Sequence, residues 1–170
     1  MDPAGTLTAN NGRVTFDSTE PALISGNTTF YDLALSAPDG KTMSFEGNST
    51  QTISHALTIN GGQNDRLVLR SAVTSGSPGD AARRWTLNVP SMQVATNVDV
   101  EDSEATGGGV SPYILAFNSI DRKDAGDATT NPGWRFEDLY LLTPADGSTI
   151  GTTPVLVGKG PASSVISIVD

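Results

Sequence analysis

Large apolar residues alternate with polar ones along much of this chain. Between residues 85 and 89, for example, Trp85, Leu87 and Val89 are separated by a threonine and an asparagine. A period of two places every second side chain on one face, as in a β-strand with one buried face. The spacing of three and four residues that indicates a helix is poorly represented. Strands are predicted within residues 6–16, 28–35, 56–69 and 85–100.

Turn residues separate these stretches, as at Asn10-Asn11-Gly12 and at Asn60-Gly61-Gly62. Such residues adopt the positive φ angles that tight turns require. The longest interruption without apolar residues begins at residue 74, and a second, glycine-rich interruption begins at residue 103. Both are predicted to be loops that leave a regular core. Recognition of a partner is expected in the loops at 74–82 and 104–113.

Two segments of the chain resemble each other. Phe16 and Phe45 are 29 positions apart, and so are Ile24 and Ile53. Many short strands fit either a β-sandwich or a β-solenoid. Internal repetition favours the solenoid, in which Phe16 would stack on Phe45 and Ile24 on Ile53. Chance similarity in a threonine-rich chain is the alternative interpretation.

The segment GTLTANNGRVTFDSTEPALISGNTTFYDLALS resembles the recurrent coil of bacterial right-handed parallel β-helix surface proteins. Residues 98–137, which run from VDVEDSEATGGG to GWRFE, resemble their closing coil. The resemblance covers about residues 5–138; it departs from the usual pattern in a longer loop at 75–82 and at Pro112-Tyr113, which interrupts the last turn. It implies an all-β chain: a short right-handed parallel β-helix, or solenoid, with a C-terminal β-strand extension.

The last 30 residues differ from the rest. Residues 141–170 resemble the first two strands of a bacterial Ig-like repeat, with strands expected at 154–158 and 165–169. The predicted domains are therefore a β-helix at residues 1–138 and a tail at residues 139–170. The tail strands are expected to cap the end of the solenoid. Donation of these strands to a neighbouring copy, which would build a filament, is the alternative.

Charge narrows the range of partners. Acidic residues outnumber basic ones by 19 to 10 in the 170 residues, and the net charge is −9. This argues against nucleic acid and against anionic membrane surfaces as partners. No apolar run is long enough to cross a bilayer, so no membrane insertion is expected. Abundant Thr, Ser, Asn and Gly with few lysines are typical of a secreted or cell-surface protein, so an extracellular location is expected.

Few residues are suited to catalysis. The chain has no cysteine, and its one histidine, His55, lacks an evident serine and carboxylate as partners. Four acids between residues 99 and 104 could supply the carboxylate pair of a glycosidase. Arg83, Arg84 and Arg122 could bind a polyuronide, but the net charge disfavours such a substrate. The chain is therefore predicted not to be an enzyme.

Calcium is the cofactor that the acidic residues suggest. Asp121, Asp124 and Asp127 follow one another at a spacing of three, and Gly126 allows the chain to bend between them. Calcium prefers several oxygen ligands of this kind. The spacing is not that of an EF-hand. A solvated acidic loop, whose aspartates cap its own turns, is the alternative, and no other cofactor is expected.

The aromatic residues contribute one weak signal for binding. Tyr31 and Tyr113 are candidates for a ligand surface, because the tryptophans and phenylalanines fall on strands with other apolar residues. The function expected from all these features is that of a structural or adhesive segment of a large exported surface protein. Its partners would be adjacent domains, neighbouring copies, or a surface glycan or protein. A filament subunit and a carbohydrate-binding or carbohydrate-degrading module are the alternatives.

Overall fold

The part of the chain that the structure describes folds into short β-strands joined by turns and loops. A computed structural model describes residues 10–37, 40–122 and 131–137, together with two strands at 140–143 and 157–159. Within these residues there is no helix. The strands in chain order are β1 (Arg13–Phe16), β2 (Ala22–Ile24), β3 (Thr28–Ala37), β4 (Lys41–Phe45), β5 (Thr50–Gly61), β6 (Leu67–Ser71), β7 (Trp85–Val89), β8 (Gln93–Thr96), β9 (Val98–Val100), β10 (Ser103–Gly107), β11 (Ile114–Phe117), β12 (Ile120–Asp121), β13 (Trp134–Glu137), β14 (Tyr140–Thr143) and β15 (Val157–Lys159).

Parallel pairing winds these strands into a β-solenoid. The first sheet has the order β1-β3-β5-β8-β11-β13, and β7 pairs with both β5 and β10. The second sheet has the order β12-β9-β6-β4-β2. Every pair within these two sheets is parallel. The chain passes from one sheet to the other and back in about five turns, which confirms the expected all-β solenoid.

The first sheet divides into two arms at a bulge in β5. Phe30 pairs with Ile53, whereas Asp32 pairs with Ala56, so β5 has one more residue than β3 between these two pairs. Before the bulge β5 pairs with β7, and beyond it β5 pairs with β8. A bulge of this kind bends a strand and redirects its side chains. It leaves His55 on the surface beside Tyr31.

Inward side chains stack from coil to coil in the core. Parallel pairing places residues of equal register above one another at a spacing of about 4.8 Å. Successive partners in the longest ladder of the first sheet are Phe16, Leu35, Ile59, Ala95, Ala116 and Phe136. Leu35, Ile59, Ala95 and Ala116 are fully buried. Burial of a leucine or isoleucine side chain contributes about 1.5–3 kcal/mol.

The predicted stacking of Phe16 on Phe45 is wrong. Phe16 pairs with Leu35 in the first sheet, whereas Phe45 lies in the second sheet between Ile24 and Ser71. Ile53 likewise pairs with Phe30 and not with Ile24. The loops between strands differ in length, so a constant spacing in the sequence does not correspond to one turn of the solenoid.

The second predicted loop is shorter than expected. The first part of that region, from Ser103 to Gly107, forms β10, which pairs with β7. Its inward positions are Ser103 and Ala105, and the burial of Ser103 is compensated by a hydrogen bond of 3.0 Å that its hydroxyl oxygen accepts from Trp134 Nε1. Because Ser103 is polar although it points inward, the alternation of apolar and polar residues did not predict this strand. The first predicted loop is confirmed, since no strand occurs between Ser71 and Trp85.

Asparagine and glycine form the corner between the first and second sheets. Asn97 and Asn118 occupy equivalent turns in successive coils, with φ angles of 54° and 49°. Asparagine is one of the few residues that adopt this left-handed conformation readily. Asn118 Nδ2 donates to Asn97 Oδ1 at 2.5 Å, and Asn97 Nδ2 donates to the carbonyl oxygen of Gly61 at 3.1 Å. A side chain at Gly61 would overlap the backbone of Asn97, so the coils approach too closely there for any larger residue.

The two strands of the tail form a separate antiparallel pair. Tyr140 and Leu141 in β14 pair with Lys159 and Gly158 in β15. Only part of the strand expected at 154–158 coincides with β15, and the strand expected at 165–169 lies outside the described residues. The boundary between the predicted domains at residue 138 stays a prediction.

Truncating an inward residue should cost far more stability than truncating an outward one. We expect Ile59→Ala to lower the free energy of unfolding by about 2–5 kcal/mol, because it opens a cavity between Leu35 and Ala95. The control is Ser36→Ala, since Ser36 is the neighbour of Leu35 and is partly exposed. This substitution should change the free energy of unfolding by no more than about 0.5 kcal/mol. Urea unfolding measures both, and equal losses would contradict the stacked core.

Candidate functional site

A groove of about 480 Å³ runs along the outer surface of the second sheet, and we call it the outer groove. Its floor is a ladder of outward positions, in which Thr42 pairs with Val68, Val68 with Asp99 and Asp99 with Ile120. Pro21, the residue immediately before β2, extends the groove by one further coil. The outer groove therefore crosses the solenoid coil by coil.

Two basic residues line the outer groove near the corner between the sheets. Lys41 begins β4, and Arg66 immediately precedes β6. Arg66 is fixed by Asn118, since its Nε donates to the Asn118 carbonyl oxygen at 3.0 Å and its Nη2 to Asn118 Oδ1 at 3.3 Å. The corner that shapes the coil thus also orients a guanidinium group at the groove.

A chain of alternating charges begins in the floor of the outer groove. Arg122 Nη2 and Arg70 Nη2 both lie 2.8 Å from the Asp99 carboxylate. Arg70 Nε lies 3.4 Å from Glu101, and Arg83 Nη2 lies 2.7 Å from Glu101. Arg83 Nη2 also lies 2.8 Å from the carboxylate of Asp102. We call the six residues the charge ladder: Arg122, Asp99, Arg70, Glu101, Arg83 and Asp102.

The charge ladder holds the loop between β6 and β7 against the solenoid. Asp102 is fully buried with a φ of 59°, and its Oδ1 accepts a hydrogen bond of 2.6 Å from the backbone N–H of Gly79. Its Oδ2 accepts one of 2.8 Å from Arg83 Nε. The same loop thus binds Asp102 through its backbone and through Arg83. A loop that the sequence predicts as a recognition element is anchored by ion pairs at its base.

Ion pairing governs the protonation of Asp99. Burial by itself would raise the pKa of the Asp99 carboxyl, but hydrogen bonds and charges from Arg122 and Arg70 outweigh it and lower the pKa below the usual range. The hydrogen bond to Asp99 raises the pKa of the Arg122 guanidinium. Asp99 therefore stays ionised at neutral pH and is not suited to act as a general acid.

Three of the four acids at residues 99–104, which the sequence suggested as a glycosidase pair, form ion pairs with arginines. Asp99, Glu101 and Asp102 all belong to the charge ladder. Glu104 lies apart from them on β10, beside Thr86 of β7. All three carboxylates are therefore held in ion pairs with arginines.

The structure describes one of the three candidate calcium ligands. Asp121 ends β12, and its Oδ1 accepts a hydrogen bond of 2.6 Å from Asn131 Nδ2. Asp124 and Asp127 lie outside the described residues. Among the residues that are described, no three Asp, Glu, His or Cys side chains come together as a metal site. The calcium site stays a prediction.

The two candidate tyrosines lie in different coils and do not form one surface. Tyr31 is half-buried in β3 and stacks on His55, with ring centroids 4.7 Å apart. His55 Nδ1 in turn lies 2.7 Å from Asp32 Oδ1. Tyr113 is half-buried next to β11 and packs against the core. Neither tyrosine lines the outer groove.

Sequence reasoning missed the basic residues of the outer groove. One signal was present for Lys41, which shares the inward phase of β4 with buried Met43 and Phe45. A lysine in that phase indicates a charge brought into or beside the core. Nothing in the local sequence marks Arg66 or Arg70, since their partners Asn118 and Asp99 are 52 and 29 residues away.

Comparison with known proteins adds no further identification. No family model matches the chain, and neither curated proteins nor solved structures give a match. Within the described residues no helix is long and apolar enough to cross a membrane. The parallel β-solenoid therefore stands on the geometry of the chain itself.

Removing the charge of Asp99 should destabilise the fold in a pH-dependent way. We expect Asp99→Asn to lower the free energy of unfolding by roughly 2–3 kcal/mol at pH 7, somewhat less than for a fully buried pair because Arg122 is half exposed. A lowered folded-state pKa contributes stability above the unfolded value of about 3.9, and that contribution is lost as the pH falls through the folded value. The deficit of the variant should therefore shrink below about pH 4.

Denaturant unfolding between pH 2 and pH 8 measures this deficit. Glu20→Gln is the matched control, because Glu20 is exposed and its side chain takes part in no ion pair within the described coils. The free energy of unfolding of Glu20→Gln should equal that of the parent chain at every pH in this range. A deficit of the Asp99 variant that stays constant down to pH 2 would contradict the ion-pair account.

Proposed function

We propose that this chain is a non-catalytic structural segment of an exported surface protein, of the adhesin or stalk type. The observation that carries the proposal is the charge ladder. Its carboxylates and guanidinium groups link β6, the loop after it, β9 and the residue after β12. Ionisable groups that an enzyme would keep available are used here to join successive coils.

The backbone supports the same proposal. The first sheet continues through six parallel strands from β1 to β13, and the second sheet continues through five. A continuous ladder of hydrogen bonds along the solenoid gives a stiff body whose length grows with the number of coils. A segment of this kind holds neighbouring domains apart and presents its loops to a partner.

Assembly into a filament is the second candidate, and the antiparallel tail favours it. Within the described residues, β14 and β15 pair only with each other, so each has one edge without a strand partner there. Such edges can accept a strand from a neighbouring copy. Cis docking on the solenoid or pairing with a following Ig-like module would use the same edges.

Mechanical stiffness is the property that a stalk segment requires. When the chain is pulled between two reference domains, we expect it to unfold in one or a few abrupt steps. Together these should release about 40 nm, because residues 10–137 extend by roughly 3.3–3.6 Å each and the folded coils already span about 2 nm. Single-molecule force spectroscopy measures both the force and the length.

Asp99→Asn serves as the matched comparison in this experiment and should unfold at a lower force than the parent chain. Gradual extension at low force, with no abrupt step, would contradict the stalk proposal. If the chain joined to its two reference domains associated end to end into polymers without any applied force, that result would favour the filament instead.

A further inference from the structure

Two large apolar side chains of β11 are buried although they do not face the core. Ile114 and Ala116 of this strand belong to the core cluster, whereas Leu115 and Phe117 do not. Successive side chains of a strand point to opposite faces, so Leu115 and Phe117 lie on the outward face of the first sheet. Their residue surfaces are nevertheless only 2% and 1% exposed. We call these two residues the outer apolar patch.

Neighbouring strands alone do not bury an outward side chain in this fold. Val68 lies on the outward face of the second sheet with a parallel partner on either side, and it stays partly exposed although it is smaller than leucine. Ile120, also outward on the second sheet, is 36% exposed. Leu115 has the same kind of neighbours, Val94 and Arg135, and is buried. Something further must cover the outer apolar patch.

The cover is centred on β11. In the ladder that runs through Phe117, Asn60 of β5 is exposed and Thr96 of β8 is half-buried. On the far side of Phe117, Glu137 of β13 is half-buried again. The covering group therefore lies over the late coils of the solenoid, next to the point at which β13 ends.

The described loops and coils do not supply this cover. Val110, in the loop that precedes β11, is 89% exposed, so that loop projects into solvent. Tyr113, at the end of the same loop, packs against the core. The other large apolar residues that are buried in the described chain belong to the core cluster. We therefore look for the cover among the residues that the structure does not describe.

The composition of these segments favours the tail. Residues 38–39 are a proline and an aspartate, and residues 123–130 contain no apolar side chain larger than alanine. Residues 1–9 contain one methionine and one leucine, and they precede β1, which lies four strands from β11 in the first sheet. The tail at 139–170 is rich in large apolar residues, which cluster at 141–142, 155–157 and 165–169.

The path of the chain favours the tail as well. Glu137, the last residue of β13, pairs with Phe117, so the chain leaves the solenoid about 5 Å from the outer apolar patch. Only residues 138 and 139 separate β13 from β14. A short connection gives the tail of the same chain a high effective concentration at the patch, which the tail of another copy lacks.

The antiparallel pair of the tail also requires a surface to pack on. Within the described residues, β14 and β15 pair only with each other. An isolated hairpin of two strands is at best marginally stable in water, and packing of an apolar face against another element stabilises it. The outer apolar patch and the tail thus each lack what the other offers.

We propose that the tail, residues 139–170, docks its apolar side chains on the outer apolar patch of its own chain. This places the tail beside the solenoid on the first sheet, and not over the last coil as a cap. The inference goes beyond the structural role proposed for the segment and does not require it. It assigns Leu115 and Phe117 as the contacts on the solenoid that hold the tail.

Photo-cross-linking of the full chain identifies what covers the patch. The photoreactive residue benzoylphenylalanine replaces Phe117, and it replaces the exposed outward residue Leu23 in the control. We expect irradiation to join position 117 to peptides within 139–170, and position 23 to give no product with these peptides. Irradiation of a mixture of ordinary and isotope-labelled chains should give no mixed product, because the tail docks within one chain.

Hydrogen exchange followed by mass spectrometry tests the contact in substituted chains. Leu115→Asp places a charge in the patch, so it should speed exchange in β14 and β15 about tenfold or more, while β3 and β5 keep their rates. The matched control, Leu23→Asp, places the same charge at an exposed outward position of the second sheet. It should change exchange in the tail by less than about twofold.

Three results would overturn the proposal. The first is that position 117 cross-links to residues 1–9 or 123–130, or to no part of the protein. The second is that the main products join ordinary to labelled chains, which would mean that the tail of another copy covers the patch. The third is that Leu115→Asp speeds exchange equally in the tail and in β3 and β5, which would make Leu115 part of the core of the solenoid.

Discussion

Parallel pairing of each coil with the next is the constraint on which the rest of this structure depends. A buried backbone N–H or C=O group without a partner costs about as much as a lost hydrogen bond. In the solenoid the partners of one coil are supplied by its neighbours, so register is fixed along the whole axis. Once register is fixed, inward residues such as Leu35, Ile59 and Ala95 must stack, and outward residues must form ladders of their own.

The outward ladders explain why charge matters so much in a protein held together by its backbone and core. Side chains of successive coils are only about 4.8 Å apart, so like charges in one ladder would repel strongly and opposite charges attract. Arg70 and Arg122 reach Asp99 diagonally from the two neighbouring coils, since the residues that pair with Asp99 are Val68 and Ile120. The same spacing brings Lys41 and Arg66 from adjacent coils to one groove, whose lining also includes Asp65 and Asp99.

The sequence predicts local features well because they depend on neighbouring residues. The alternation of apolar and polar residues predicted β7 from Trp85, Leu87 and Val89. Asparagines predicted tight turns. Register could not be predicted in this way, because it depends on how many residues each loop inserts between strands. The apparent repeat of Phe16 and Phe45 failed for that reason.

The candidate site was harder to predict than the fold. The acids between residues 99 and 104 are adjacent in the sequence and were easily noticed, but their role depends on arginines that only the winding of the chain brings near. Arg70 lies 29 residues before Asp99, and Arg122 lies 23 residues after it. This cluster of carboxylates therefore looked available for catalysis, although Asp99, Glu101 and Asp102 form ion pairs with arginines.

Cysteine cross-linking measures the parallel register most directly, and the chain offers a background free of cysteine. Ser36 in β3 pairs with Asn60 in β5, on the outward side of the first sheet. Their Cα atoms should lie about 5 Å apart, within the range that a disulfide spans, whereas Ser36 and Thr58 should lie about 8 Å apart. Under mild oxidation, the Ser36→Cys/Asn60→Cys variant should form an intramolecular disulfide and the Ser36→Cys/Thr58→Cys variant should not. Cross-linking of the second variant alone, or of both variants equally, would contradict the solenoid register.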